Sequence, residues 1–310
     1  MSSSTMSSGA QSSGTMSSSA ATLLGFGAAA LWSLLALLTV ATGPVPPFQV
    51  LATTFAIGAL SGLLTWTWRP GAARALRQPL RVWLIGTGGL FGYHALYFAA
   101  LKLAPPAEAG LINYLWPLLI VLFSAALPGE RLRPAHLLGC LLGFCGVAVL
   151  VAGRGALQAR PQDIAGYACA FAAAFVWAGY SVLSRREAAV PTDAVTGFCF
   201  ATALLGLLCH LAFETTVSPS AGQWLALVAG GAGPVGAAFF LWDIGMKRGD
   251  IRLLGVGSYG IPVASTLVLV AAGYAEPSWS LALACVLTVA GALAAALPSL
   301  RRPPPTTKCV

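Results

Sequence analysis

Residues 90–123 read LFGYHALYFAALKLAPPAEAGLINYLWPLLIVLF, two apolar runs joined by Pro105-Pro106. Tyr93, His94 and Tyr97 sit near the middle of the first run. Asn113, Tyr114 and Trp116 interrupt the second and are followed at once by Pro117. A proline inside a helix has no N–H to offer the carbonyl four residues back, here that of Asn113. In hydrocarbon such a carbonyl is tolerated only where protein or a watery cavity satisfies it. The cluster is therefore expected to face an internal cavity and not lipid.

The rest of the chain supports a membrane setting for that stretch. Of 310 residues, 57% are hydrophobic and 8% charged, against about 25% charged in soluble domains. The apolar residues come in runs of about 20, the length that crosses roughly 30 Å of hydrocarbon as helix. An outer-membrane barrel would show short alternating segments instead. The sequence predicts an all-α integral membrane protein with ten spans, near 22–42, 48–66, 82–103, 107–127, 134–152, 163–184, 194–213, 222–246, 251–273 and 279–298.

Residues 1–19, rich in Ser and free of charge, are too polar to build a core and read as a disordered tail. They lack the basic start of a signal peptide, and Met6 and Met16 leave the start of translation open. Residues 301–310 read as a second tail. The net charge of +8 needs no nucleic-acid partner, because the basic residues gather in alternate loops. With the N-terminus in the cytoplasm, Arg69, Arg74, Arg77, Arg81, Arg131, Arg133, Arg185, Arg186, Lys247, Arg248, Arg252, Arg301, Arg302 and Lys308 lie inside. Only Lys102, Arg154 and Arg160 lie outside. The positive-inside rule then sets both termini in the cytoplasm.

Sliding the sequence against itself by 145 residues aligns Trp32 with Trp177, Lys102 with Lys247, Tyr114 with Tyr259 and Pro117 with Pro262. It also aligns Gly86 with Gly231, Gly88 with Gly233, Gly110 with Gly255, Cys140 with Cys285 and Gly146 with Gly291. Residues 20–160 and 161–300 thus form two five-helix repeats. Five is odd, so the second copy enters the membrane from the other side. Inverted repeats of this kind build transporters whose site lies near mid-depth between the halves, at matched helix breaks.

Those breaks nominate Asn113, Tyr114 and Trp116 with Ser258 and Tyr259 as substrate-binding residues, and Pro117 and Pro262 as hinges. His94 is expected in the cavity because an ionisable group at mid-span is costly, and Tyr93 and Tyr97 flank it. Trp32 and Trp177 are read as two opposed aromatic walls. Plain packing explains each of these residues singly; the shared offset argues for a site. Gly86, Gly88, Gly89 and Gly92, with Gly230, Gly231, Gly233 and Gly236 around Pro234, thin two helices so that neighbours approach closely. Asp243 and Lys247 read as an exposed i, i+4 ion pair near a span end. Glu130, Glu214, Glu276, His136 and His210 fall at or near span ends and are given no role. The seven cysteines form no CxxC pair and read as small packing residues.

No GxxxxGK loop is present for ATP, and no His, Cys or carboxylate cluster calls for a metal. No cofactor and no ATPase partner is expected, and a monomer suffices. A central Arg or Lys to clamp a phosphorylated substrate is absent, as is a ring of charge suited to a channel.

A proline in each fourth span, Glu130 after the first of them, and glycines such as Gly139 and Gly146 resemble the drug/metabolite transporter superfamily, with two EamA-type repeats over most of residues 20–300. Asn113-Tyr114-Leu115-Trp116-Pro117 is similar to the aromatic amino-acid exporters of that superfamily. The resemblance implies a secondary transporter of the bacterial inner membrane that moves amino acids outward, with Tyr93, His94, Tyr97, Tyr114, Trp116, Trp177 and Tyr259 in its cavity. A broad drug/metabolite efflux transporter is the alternative. A membrane enzyme acting on lipid is the remote one, since the sequence offers no paired acids or activated nucleophile. Movement down the substrate gradient and exchange for protons both fit a single central histidine.

Overall fold

The computed structural model describes residues 16–104, 106–128, 130–153, 161–273 and 276–300. Residues 1–15 of the expected first tail and residues 301–310, and with them Cys309, Arg154 and Arg160, lie outside the described residues, as do the side chains of Lys102 and Glu108; Ser18 and Ser19, expected in the disordered tail, instead open a helix capped by Ser17. The described chain is helical, with no strand among the described residues. The helices are α1 (Ser18–Ser33), α2 (Leu35–Ala41), α3 (Pro47–Trp66), α4 (Leu80–Leu103), α5 (Pro106–Asn113), α6 (Trp116–Ser124) and α7 (Pro134–Ala152). They continue with α8 (Ile164–Arg186), α9 (Ala194–Phe213), α10 (Ala221–Gly230), α11 (Ala238–Arg248), α12 (Ile251–Gly257), α13 (Gly260–Ala271) and α14 (Trp279–Leu300). The described chain is helical as expected, while the predicted spans 22–42, 107–127 and 251–273 are each divided between two helices. Seven helical segments among the described residues are long and apolar enough to cross a membrane, and Pro134–Val149 and Trp279–Ala295 are shorter apolar helices.

Local chemistry marks the helix ends. Ser17 caps α1 by accepting from the Ala20 N–H. Ser220 and Gln223 form a reciprocal capping box at α10, and the Asp250 carboxylate accepts from the Arg252 and Leu253 N–H groups at α12. The start of α3 is capped from elsewhere in the chain. The carboxylate of Glu214 accepts from the N–H groups of Phe48 (3.0 Å) and Gln49 (3.1 Å), and the His210 ring lies 3.0 Å from the same group. Unpaired N–H groups at a helix start are costly to bury. Replacing Glu214 with Ala is therefore expected to lower stability by about 1–2 kcal/mol, read as a fall in the melting temperature of the purified protein.

The breaks have a common cause at Pro117 and Pro262. Both prolines sit in the first turn of a new helix, after short turns at Tyr114–Leu115 and Ser258–Tyr259. The Leu115 N–H donates to Ile112 O at 3.0 Å instead of continuing the α-helical ladder. The Ser258 carbonyl, four residues before Pro262, accepts from the Ile261 N–H at 3.0 Å. A third irregularity joins α10 to α11, where residues Gly231–Ala237 widen into a π-helical turn around Pro234.

Glycines let the helices cross closely, and their partners fix direction. Along α7 the close neighbours on α14 run in reverse order. Gly139 lies against Gly291 and Ala295, Gly146 against Ala284 and Thr288, and Gly153 against Ser280. These two helices are therefore antiparallel. The same holds for α3 and α9, where Gly62 meets Thr196 and Gly206 meets Leu51. The neighbours are also exchanged by the 145-residue shift. α4 lies along α8 as α11 lies along α1, while α7 pairs with α14 and α3 with α9. A Cβ at Gly89 would stand 2.5 Å from the Tyr180 ring, and one at Gly245 would stand 2.8 Å from the Gly25 Cα.

Candidate functional site

Where α1, α4, α6, α8 and α11 converge, their aromatic side chains meet. Trp32 from α1 reaches Trp177 from α8 at 5.5 Å between ring centres, and Trp242 from α11 at 5.0 Å. Trp116, opening α6, stands 6.3 Å from Trp177 and 5.9 Å from Trp242, nearly perpendicular to both. Tyr93 from α4 lies 5.1 Å from Trp177. Beside this group His94 contacts Phe55 of α3 edge-on at 5.0 Å, and Phe239 of α11 at 6.3 Å. Edge-to-face and offset pairs of this kind each contribute about 0.5–1.5 kcal/mol beyond the area they bury.

The cluster is graded in exposure. Trp116 and Trp177 are 4% exposed and Trp242 is 1% exposed. Tyr93, His94, Tyr97 and Phe98 on α4 are half-buried. Tyr97 stacks parallel to Tyr93 at 5.9 Å, continuing the ring surface along α4.

Polar atoms are sparse here and their partners define what they offer. His94 Nδ1 lies 2.6 Å from the Leu90 carbonyl. A carbonyl only accepts, so Nδ1 carries the proton, and in the neutral form of the ring Nε2 is an acceptor. Asn113 donates through Nδ2 to the Tyr93 hydroxyl at 3.1 Å, while its Oδ1 is buried with no partner among the described residues. Trp32 donates to Pro234 O at 2.8 Å, inside the widened turn, and Trp242 donates to Ser181 Oγ at 3.1 Å. The described residues provide no hydrogen-bond acceptor for the indole N–H groups of Trp116 and Trp177. They also contain no grouping of three or more His, Cys, Asp or Glu able to hold a metal.

Trp32, Tyr93, His94, Tyr97, Asn113, Trp116 and Trp177 are thus brought together. Tyr114 and Tyr259 are not. Both pack in a separate cluster with Cys140 and Val147 of α7, and Tyr259 covers Gly143. Ser258 is buried and donates to Leu254 O within its own helix at 2.7 Å. Ser258→Ala is accordingly expected to change the apparent substrate affinity less than twofold in a transport assay.

Four members of the ring cluster are new relative to the sequence reading: Phe55, Phe98, Phe239 and Trp242. Two carried a signal, since the shift that pairs Trp32 with Trp177 also carries His94 onto Phe239 and Tyr97 onto Trp242. The ion pair of Asp243 and Lys247 is buried, not exposed as expected. Its 2.8 Å bridge is joined by Thr192 Oγ1, which donates to Asp243 Oδ2 at 2.7 Å, and Lys247 also donates to Val190 O. Glu130, given no role from sequence, binds Arg185 at 2.9 Å and Arg252 at 3.2 Å. Arg185 also donates to the carbonyls of Met246 and Gly249. With Arg81–Glu187 and Arg69–Asp193, these bridges tie the first repeat to the second at one end of the helices.

The profile of the EamA-like transporter family matches residues 19–152 and again residues 164–297. The chain belongs to the EamA-like transporter family. This membership, with several helices long and apolar enough to span a bilayer, makes the chain a membrane transporter and not an enzyme. A relative from Ancylobacter novellus named aromatic amino acid exporter YddG is 60% identical over 283 residues, 91% of this chain and 99% of its own. The Salmonella typhimurium protein of the same name is 28% identical over 306 residues, 93% of this chain and 100% of its own. A solved crystal structure 59% identical in sequence superposes with a TM-score of 0.89, covering 92% of this chain and 99% of that one. Within the EamA family the ring cluster is thus a feature of a transporter, formed by residues from both matched segments.

Proposed function

We propose that this chain exports amino acids, with aromatic and other apolar side chains preferred, across the bacterial inner membrane by alternating access through the ring cluster. The observation that carries the reading is a ring-walled site, built from both repeats, in which the buried Asn113 Oδ1 has no partner among the described residues. Asn113 Oδ1 and His94 Nε2 are acceptors suited to an ammonium group, and the indole N–H groups of Trp116 and Trp177 are donors suited to a carboxylate. No formal charge stands among these side chains, which favours a net-neutral zwitterion over an anion or a dication. A flat apolar side chain gains from stacking on the surrounding rings. The exporters named among the relatives support the same substrate class.

The architecture that serves this function is ten spans in two inverted five-helix repeats, residues 20–160 and 161–300, with both termini cytoplasmic. The antiparallel run of α7 against α14, and of α3 against α9, supports inversion, because equivalent helices related by an axis in the membrane plane must point opposite ways. The ion-pair end then faces the cytoplasm, as the distribution of Arg and Lys requires. Pro117 and Pro262 act as hinges for the short helices before them. The unit works without a cofactor or an ATPase partner, and as a monomer.

Uptake of labelled amino acids into proteoliposomes tests this. Tryptophan and phenylalanine are expected to move fastest and to compete with each other, while lysine and glutamate move poorly. Equal transport of dyes and amino acids would favour the broad efflux reading, and no movement of any amino acid would overturn the assignment.

A further inference from the structure

We propose that Trp242 is a positioning residue for the substrate site: it touches no cargo, and it fixes the angles of the three indoles that do. Its ring lies against Trp32 at 5.0 Å, Trp116 at 5.9 Å and Trp177 at 6.2 Å, so it is the common neighbour of all three. At 1% exposure it has no free surface to offer a substrate. The 145-residue shift puts it in the place of Tyr97, which is half-buried in the first repeat. One copy of the position is therefore partly open and the other sealed beneath the cluster.

Its own orientation is set twice. The indole N–H donates to Ser181 Oγ at 3.1 Å, and Ser181 is fully buried one turn along α8 from Trp177. A single hydrogen bond thus ties Trp242 to the helix that carries one of the walls. On the other side, the adjacent Asp243 is held by Thr192 and Lys247, and Lys247 is held by the Val190 carbonyl. Both anchors lie in the segment that follows α8, so the turn bearing Trp242 is fixed at Ser181 to that helix and at Thr192 and Val190 to the segment after it. Site residues need such support, since displacements of about 1 Å are enough to lose binding geometry.

This inference rests on the ring cluster being the place where cargo binds, and the test separates the two claims. Apparent KM and maximal rate for labelled tryptophan are measured in proteoliposomes for purified, monodisperse Trp242→Phe, Ser181→Ala, Ser181→Thr and the Trp242→Phe/Ser181→Ala double variant. Trp116→Ala serves as the direct-contact reference. Trp242→Phe is expected to raise KM about five- to tenfold with the maximal rate within about twofold. Ser181→Ala moves KM the same way by a smaller factor, and Ser181→Thr, which keeps the hydroxyl, restores it. The double variant is no worse than Trp242→Phe alone, because both changes remove one interaction. Should Trp242→Phe fail to fold, the Ser181 pair decides. If KM is unchanged in Trp242→Phe and Ser181→Ala while Trp116→Ala raises it, the positioning role is wrong and the site stands. If Trp116→Ala also leaves KM unchanged, the site itself is misplaced.

Discussion

Replacing Trp116 with alanine is expected to cut transport of tryptophan and phenylalanine more than tenfold while the protein still reaches the membrane. The indole meets Trp177 and Trp242 at nearly right angles, and its N–H finds no acceptor among the described residues. Alanine removes both the ring and the donor. Trp116→Phe keeps a ring and loses only the N–H, so it is expected to fall between the two in apparent affinity. Each ring contact is worth about 0.5–1.5 kcal/mol, and a donor to a charged group about 1.5–3 kcal/mol. Together these exceed the 1.4 kcal/mol that makes a tenfold change. The void left by so large a side chain also lowers stability, by about 3–5 kcal/mol, so uptake is normalised to the folded fraction seen by size-exclusion chromatography. Wild-type rates in both variants would remove Trp116 from the site.

Gly291→Leu is expected to have the larger effect on folding. A Cβ at Gly291 would lie 2.7 Å from the Gly139 carbonyl oxygen and 3.2 Å from the Gly143 N. These are backbone atoms, which do not rotate aside as a side chain would, so α7 and α14 must separate along the crossing that joins the two repeats. Helices in hydrocarbon associate by close packing of this kind, without the drive that water supplies to soluble cores. The variant is expected to yield little monodisperse protein. Gly88→Ala is the control, because a Cβ there meets nothing within 4 Å, and its yield should match the wild type.

Much of this was legible in the sequence, for identifiable reasons. The constant offset between Trp32 and Trp177, and between Pro117 and Pro262, marked the repeat, and Pro117 marked a real helix break. Tyr93, His94, Tyr97, Asn113 and Trp116 stood out because polar and ring-bearing groups are conspicuous in an apolar run. Phe55 and Phe239 did not stand out, since a phenylalanine in a membrane helix looks alike whether it faces lipid or a site. Trp242 was hidden by its place near a span end, where tryptophan is commonly an interfacial anchor. Tyr259 and Ser258 shared the repeat but turned into packing against α7 and into a bond within their own helix. Residue spacing reports such equivalence and says nothing of which way a side chain rotates. The burial of Asp243 and Lys247, and the bridging of Glu130 to two arginines, depend on segments distant in the chain, and no local pattern encodes them.

Counter-ions follow from where the bridges sit. Glu130, Arg185 and Arg252 join the repeats at a single end, and Arg81 and Arg69, whose side chains are 71% and 50% exposed, add pairs with Glu187 and Asp193. Dissolved salt weakens such exposed attractions over about 8 Å at physiological ionic strength and over shorter distances as it rises. The strength with which the two repeats are held together at that end therefore depends on the salt of the compartment it faces. Raising potassium chloride on that side alone should speed the return of the empty carrier, and raising it on the opposite side should leave the rate unchanged.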